Sequence, residues 1–155
     1  MAGTVQNSIV IERPIEEVFN FVTDPTTTSL WQPNLAQSEI ITPGPMQVGT
    51  AIREVRRIGK AEKSAVWEVT EYEPPHKRAY VYTQSFGPIT QSGITIFEAT
   101  EKGTLVQFTA YVKARFPLNL LMPLLVGLMR KQNEKNFALL KQLLESQAAK
   151  PVDVA

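Results

Sequence analysis

The groups able to move a proton are scattered in this sequence, and their spacing builds no triad or paired-carboxylate site. Glu54 and Arg56 come closest. They share the parity of Ile52 and Ile58 in an alternating run, so these side chains fall on one face of a strand. If that face is concave, they form an internal polar patch able to hold a carboxylate or hydroxyl, with Glu54, Arg56 or a tyrosine moving protons. The expectation carried forward is the plainer one, a solvated strand. His76, the single histidine, stands in a Glu-Pro-Pro-His-Lys turn at a sheet edge, where a surface role is expected. One imidazole cannot make a pair of catalytic histidines or a His-rich metal site. The absence of cysteine excludes disulfides, thiolate nucleophiles and Cys-based centres. There is no metal-ligand spacing and no phosphate-cradling glycine loop, so neither a metal nor a cofactor is expected. Asn133 falls on the apolar stripe of a helical segment, where a buried amide would bind a ligand group or satisfy a neighbouring backbone carbonyl.

Two further stretches carry possible binding chemistry. Arg53, Arg56, Arg57, Lys60 and Lys63 cluster around one hairpin, interspersed with Glu54 and Glu62. No aromatic platform accompanies them, so a solvated hairpin is expected and nucleic acid is not. The net charge of +1 adds no global field that would attract nucleic acid or an anionic membrane. Residues 116–129, FPLNLLMPLLVGLM, contain fourteen residues without one charge. A spanning helix needs ~20 apolar residues, and this run stops at Arg130–Lys131 with Pro123 and Gly127 inside it. It is not expected to cross a membrane. A core helix needs one apolar stripe, whereas Leu120, Leu121, Leu124, Leu125, Val126 and Leu128 surround the axis more widely. The excess must meet a ligand, a partner subunit or a membrane surface.

The elements that position these groups follow from period and punctuation. At 155 residues, 43% of them apolar and 20% charged, the chain suits one globular domain. That domain is expected over 1–148, with 149–155 a frayed tail. The N-terminal MAGTVQNSIVIERP has neither a basic leader nor an apolar run, so no secretory signal is expected and the cytoplasm is the default address. Residues 5–12 alternate as a strand. Pro14, Glu16 and Glu17 then open a short helix whose stripe is Ile15, Val18, Phe19 and Val22, ended by Asp24-Pro25. The segment TTTSLWQPNL leaves room for one or two helical turns. Six strands follow, at about 36–42, 48–58, 63–73, 78–86, 90–100 and 104–115, separated by turns rich in Gly, Pro or charge. Val126, Met129, Asn133, Phe137, Leu140 and Leu144 then recur at helical spacing. They predict a helix beginning near Pro123, after a separate segment 116–122, and ending near Gln147. A curved antiparallel sheet wrapped around that last helix buries all these faces.

This order, with the stretches IERPIEEVFNFVTDP, LWQP, VGT, EVTEYEPPHKRAYV, GTLVQFTAYV and ALLKQLLE, resembles the polyketide cyclase/dehydrase and lipid-transport superfamily. This is the START-like, birch-pollen-allergen-like helix-grip (SRPBCC) group. The resemblance implies an α+β helix-grip fold: a seven-stranded curved antiparallel sheet around a long C-terminal helix, with two short helices after the first strand. It also implies a cavity between sheet and helix, closed partly by the short helices, for hydrophobic molecules such as lipids, sterols or polyketides. The family shares no one catalytic motif.

Candidate lining residues follow from strand parity and this fold. Ala65, Trp67 and Val69 share a face, and Trp67 would give a planar ligand a flat wall. Val106, Phe108, Ala110 and Val112 share another, and the small Ala110 leaves room. Thr95 and Phe97 are taken inward on the next strand, Phe97 by the resemblance, and Ile52 beside Glu54. Along 78–86 two sets compete. Val81 and Thr83 inward would enlarge the pocket, whereas Tyr80 and Tyr82 inward would offer hydroxyls; the small set is taken, since one residue of slip exchanges them. Trp31 would pack at the entrance. Leu121, Leu125, Leu128 and Met129 would be wall or lid, with Asn133 beyond them.

The function expected is binding or transport of a small hydrophobic ligand, lipid, isoprenoid or polyketide-like, by a monomer or homodimer. A cyclase, aromatase or dehydratase is the first rival. A module docking a protein or the periphery of a membrane through 116–129 is the second.

Overall fold

The structure, a computed structural model, describes residues 2–149. N-terminal alternation yields β1 (Ala2–Ile11), whose Val5 and Ile11 are fully buried. Helix α1 (Ile15–Thr23) buries the stripe Ile15, Val18, Phe19 and Val22. Its first turn carries Glu16 and Glu17, and Arg13 closes on Glu17 at 2.6 Å. Asp24 stops the helix, its Oδ1 accepting the Thr26 N–H at 2.8 Å. A single helical turn, α2 (Thr28–Trp31), then delivers Trp31 to the interior.

Strands β2 (Leu35–Ile40), β3 (Ala51–Ile58), β4 (Ala61–Glu73), β5 (Lys77–Gln84), β6 (Ile89–Thr100) and β7 (Gly103–Ala114) form an antiparallel meander. β1 pairs with β7, giving the seven-stranded order β1-β7-β6-β5-β4-β3-β2. The β6–β7 turn needs glycine, because Gly103 has φ +141° and a Cβ there would strike the backbone that leaves β1.

After a 3₁₀ turn at Leu118–Leu121, helix α3 (Met122–Ala149) crosses the concave face of the sheet. Pro123 is tolerated in its first turn, where no intrahelical N–H partner is lost. One core joins Phe19, Trp31, Phe97, Val106, Phe137, Leu140 and Leu144 beneath the middle and end of α3. A second joins Val5, Ala110, Val112 and Met122 beneath its start. Polar contacts fix the helix to the sheet edge: Asn133 Nδ2 donates to Asn7 Oδ1 at 3.1 Å, and Lys141 Nζ to the Val10 carbonyl at 2.7 Å. Of the tail expected to fray, residues 150–155 lie outside the described residues. No described helix is long and apolar enough to cross a membrane.

Candidate functional site

A cavity of about 240 Å³ lies between the concave sheet and α3, walled at one end by α1, α2 and the segment between them. Its strand-borne lining is set by register. On β3 the inward set is Ile52, Glu54 and Arg56; Ile52 pairs with Trp67 and Glu54 with Ala65 of β4. Trp67 pairs in turn with Tyr82, and Val69 with Tyr80. Irregularities between Val66 and Trp67, and again between Val69 and Glu71, shift the parity along this pair. Arg78, Tyr80 and Tyr82, which share one face of β5, all line the cavity. Tyr80 lies across β6 because Gly93 is opposite, where a Cβ would stand 2.7 Å from its ring. Gln91 Nε2 donates to its hydroxyl at 2.6 Å.

Glu54 is the hub of a closed network and is 3% exposed. It accepts Arg56 Nε at 3.0 Å and Arg56 Nη2 at 3.2 Å, a bidentate grip. Trp67 Nε1 donates to it at 3.3 Å, and the Tyr82 hydroxyl donates to its Oε1. Four donors fill a carboxylate that has about four lone-pair sites. Arg56 also reaches Gln32 Oε1 at 2.8 Å and Asn34 Oδ1 at 3.2 Å, tying β3 to the loop after α2. Burial acts to lower the Arg56 pKa, but the Glu54 charge and hydrogen bonds, with Tyr82 and Tyr80 nearby, hold it above its ordinary value. Burial pushes Tyr82 well above the usual phenol range, and the adjacent Glu54 adds to that. Burial likewise raises Tyr80 to about 12. Both phenols therefore stay protonated at neutral pH; Tyr82 donates to Glu54, and Tyr80 accepts from Gln91.

Arg78 has different surroundings. Its guanidinium carbon stands 5.1 Å from the Trp67 ring centroid. Nη1 donates to the Thr23 carbonyl at 3.3 Å, its single hydrogen bond among the described residues. Buried Nε has no partner, and no described carboxylate forms an ion pair with this arginine. Burial lowers its pKa to about 10. The buried Trp31 Nε1, from the same cavity wall, is also without a partner.

The sequence matches the family described as polyketide cyclase / dehydrase and lipid transport over residues 2–145. The chain belongs to that family. No curated protein matches it significantly. Among solved structures, the Zhui aromatase/cyclase from Streptomyces sp. R1128 superposes with TM-score 0.82 at 12% identity, covering 96% of each chain. A protein from Thermus thermophilus gives 0.77 at 18% identity, covering 94% of this chain and 99% of that one. Ara h 8.0201 gives 0.72 at 15%, with the same coverages. At these identities the likeness carries the fold: the helix-grip architecture of the polyketide cyclase/dehydrase and lipid-transport family.

In this family member, Trp31, Glu54, Arg56, Trp67, Thr95, Phe108, Met129 and Asn133 line the cavity. The solvated-strand expectation for Glu54 and Arg56 is corrected, because they share a face with fully buried Ile52. Ile52, Ala65, Val69, Phe97 and Ala110 are instead buried away from the cavity lining. Ala110 packs in the cluster beneath the start of α3, so its small size serves that contact. Val81 and Thr83 face outward and are exposed; the tyrosines hold the inward positions. Leu121 and Leu128 are exposed, and Leu125 is half-buried outside the lining. Of the apolar run, Met129 alone reaches the cavity, because the helix turns its buried face to β1 and β7 through Met122 and Val126. His76 is exposed in its turn, as are Arg53, Arg57, Lys60 and Lys63 of the basic hairpin. Sequence reading missed Arg78, Tyr80, Tyr82 and Gln91 as lining residues. Their shared parity on β5 was the available signal for the first three, but neither register shift between β4 and β5, at Thr83 and at Thr70, is marked by glycine or proline.

Proposed function

We propose that this protein binds a small, largely apolar ring compound in the cavity between its sheet and α3. The observation that supports this most is the cavity itself, about 240 Å³, with Trp31, Trp67, Phe108 and Phe137 in its wall and a few polar groups among them. Apolar burial would supply the affinity at ~25 cal/mol per Å² before ordering costs. Polar groups would set orientation. The volume falls below the roughly 300–1,000 Å³ usual for drug-sized ligands, which favours a bicyclic or tricyclic occupant over a lipid with two acyl chains. A thermal-shift survey of bicyclic and tricyclic aromatic and isoprenoid compounds, followed by calorimetric titration, tests it. Stoichiometric binders that raise the melting temperature are expected. A flat response across the survey contradicts the reading.

Chemical conversion of a polyketide-like ligand is the second reading, favoured by the Tyr82–Glu54–Arg56 network in the cavity wall and by the likeness to an aromatase/cyclase. Its signature would be turnover that disappears in Glu54→Gln without loss of fold. Binding is preferred, because the lone pairs of Glu54 are already engaged by protein donors, leaving no evident place for a substrate proton.

A further inference from the structure

Resting on the cavity-binding reading, we infer that the ligand carries a carboxylate and seats it on the free edge of the Arg78 guanidinium. Three charged side chains line the cavity: Glu54, Arg56 and Arg78. The first two neutralise each other at 3.0 Å, so the lining carries one positive charge without a counter-ion among the described residues. A buried cation in that state is costly, and an incoming anion relieves the cost.

The geometry selects a planar, two-oxygen group. Arg56 uses its Nε and Nη2 edge to hold Glu54 in a fork. On Arg78 the same edge is unused, since the one hydrogen bond is made by Nη1. That bond to Thr23 and the stack over Trp67 fix the guanidinium plane from two sides. Nε on that edge is buried, so an incoming carboxylate would take Nη2 first and complete the bidentate fork on Nε as the pocket closes around it. The apolar body of the ligand would lie along the aromatic wall, where Trp67 also carries the cation's stack. The ligand class is therefore an aromatic or isoprenoid carboxylic acid.

The test compares 2-naphthoate with 2-naphthamide, a neutral probe of nearly the same shape, by calorimetry at pH 7 on the full chain. Charge-assisted hydrogen bonds at a buried site predict roughly tenfold or greater preference for the acid. Arg78→Gln should bring the two affinities within about threefold by weakening naphthoate alone, and Arg78→Lys, which keeps the charge but not the fork, should fall between. Equal affinities in the wild type overturn the carboxylate seat and leave cavity binding standing. So does an acid preference that persists undiminished in Arg78→Gln, or in Arg78→Lys should the glutamine variant fail to fold. Binding of neither probe overturns the cavity reading and this inference together.

Discussion

Arg56 and Arg78 both reach one cavity from strands of one sheet, yet they end in opposite conditions. Arg56 makes bonds to Glu54, Gln32 and Asn34, and its carboxylate partner is filled in turn by Trp67 and Tyr82. Arg78 has one carbonyl and one aromatic face. A polar group saturated by its own fold contributes to holding strands and loops in register. One left unsaturated inside a cavity destabilises the empty protein and gains when something complementary arrives. The residue type is the same at both places, so the distinction lies in what the fold put beside it.

Opposite mutational signs follow, and the largest effect belongs to the saturated end. Glu54→Ala strands the Arg56 charge and the Trp67 and Tyr82 donors, so unfolding free energy should drop by ~3–5 kcal/mol in denaturant titration. A loss below ~1 kcal/mol would erase the contrast. Gly93→Val should cost ~1–3 kcal/mol by driving the Tyr80 ring off β6. It should also weaken cavity ligands, which calorimetry would register; unchanged affinity would detach Tyr80 from the site. Arg78→Met removes an uncompensated charge at similar length, so the ligand-free protein should be unchanged or more stable by up to ~1 kcal/mol. A clear loss in the same titration would make Arg78 a structural group like Arg56.

The smallest effect is a slope in alkaline solution. The folded protein holds the Tyr80 proton to about 12, while an unfolded phenol releases it near 10. The stability from Tyr80 is thus complete below pH 10 and lost as pH rises toward 12. Tyr82, also raised, acts with the same sign. Arg78 acts in reverse: its folded pKa is lowered to about 10, so its penalty is present below that pH and relieved above it. The two oppose each other in the wild type. Arg78→Met should therefore lose stability more steeply than the wild type between pH 10 and 12, as denaturant titrations at successive pH values would show. Parallel curves would mean that Arg78 is not an uncompensated cation.

Much of the fold was legible because punctuation and period agree along this chain. Turns with glycine, proline or clustered charge bound strands with period two, and the switch to helical spacing after Pro117 is sharp. The site was legible only where parity ran undisturbed. Trp67, Phe108 and Thr95 follow directly from it. Between β4 and β5 two register shifts obscure which face is inward, and an expectation that small side chains make room put Val81 and Thr83 where Tyr80 and Tyr82 belong. The room comes instead from Gly93, which lets a large ring lie flat. Glu54 and Arg56 were readable as inward through their common parity with Ile52, but charge on a strand argued for solvent. The partners that offset that charge, Gln32, Asn34, Trp67 and Tyr82, come from three other segments of the chain. Nothing local announces them.

Native mass spectrometry of the wild type beside Arg78→Gln, both purified identically and gently, decides whether Arg78 seats a ligand anion in the cavity. The expected result is a stoichiometric small-molecule adduct on the wild type, identifiable after extraction as an apolar carboxylic acid, and a variant that is folded and largely bare. An adduct of equal mass and occupancy on both proteins, or a bare wild type that no compound in the survey stabilises, would overturn that assignment.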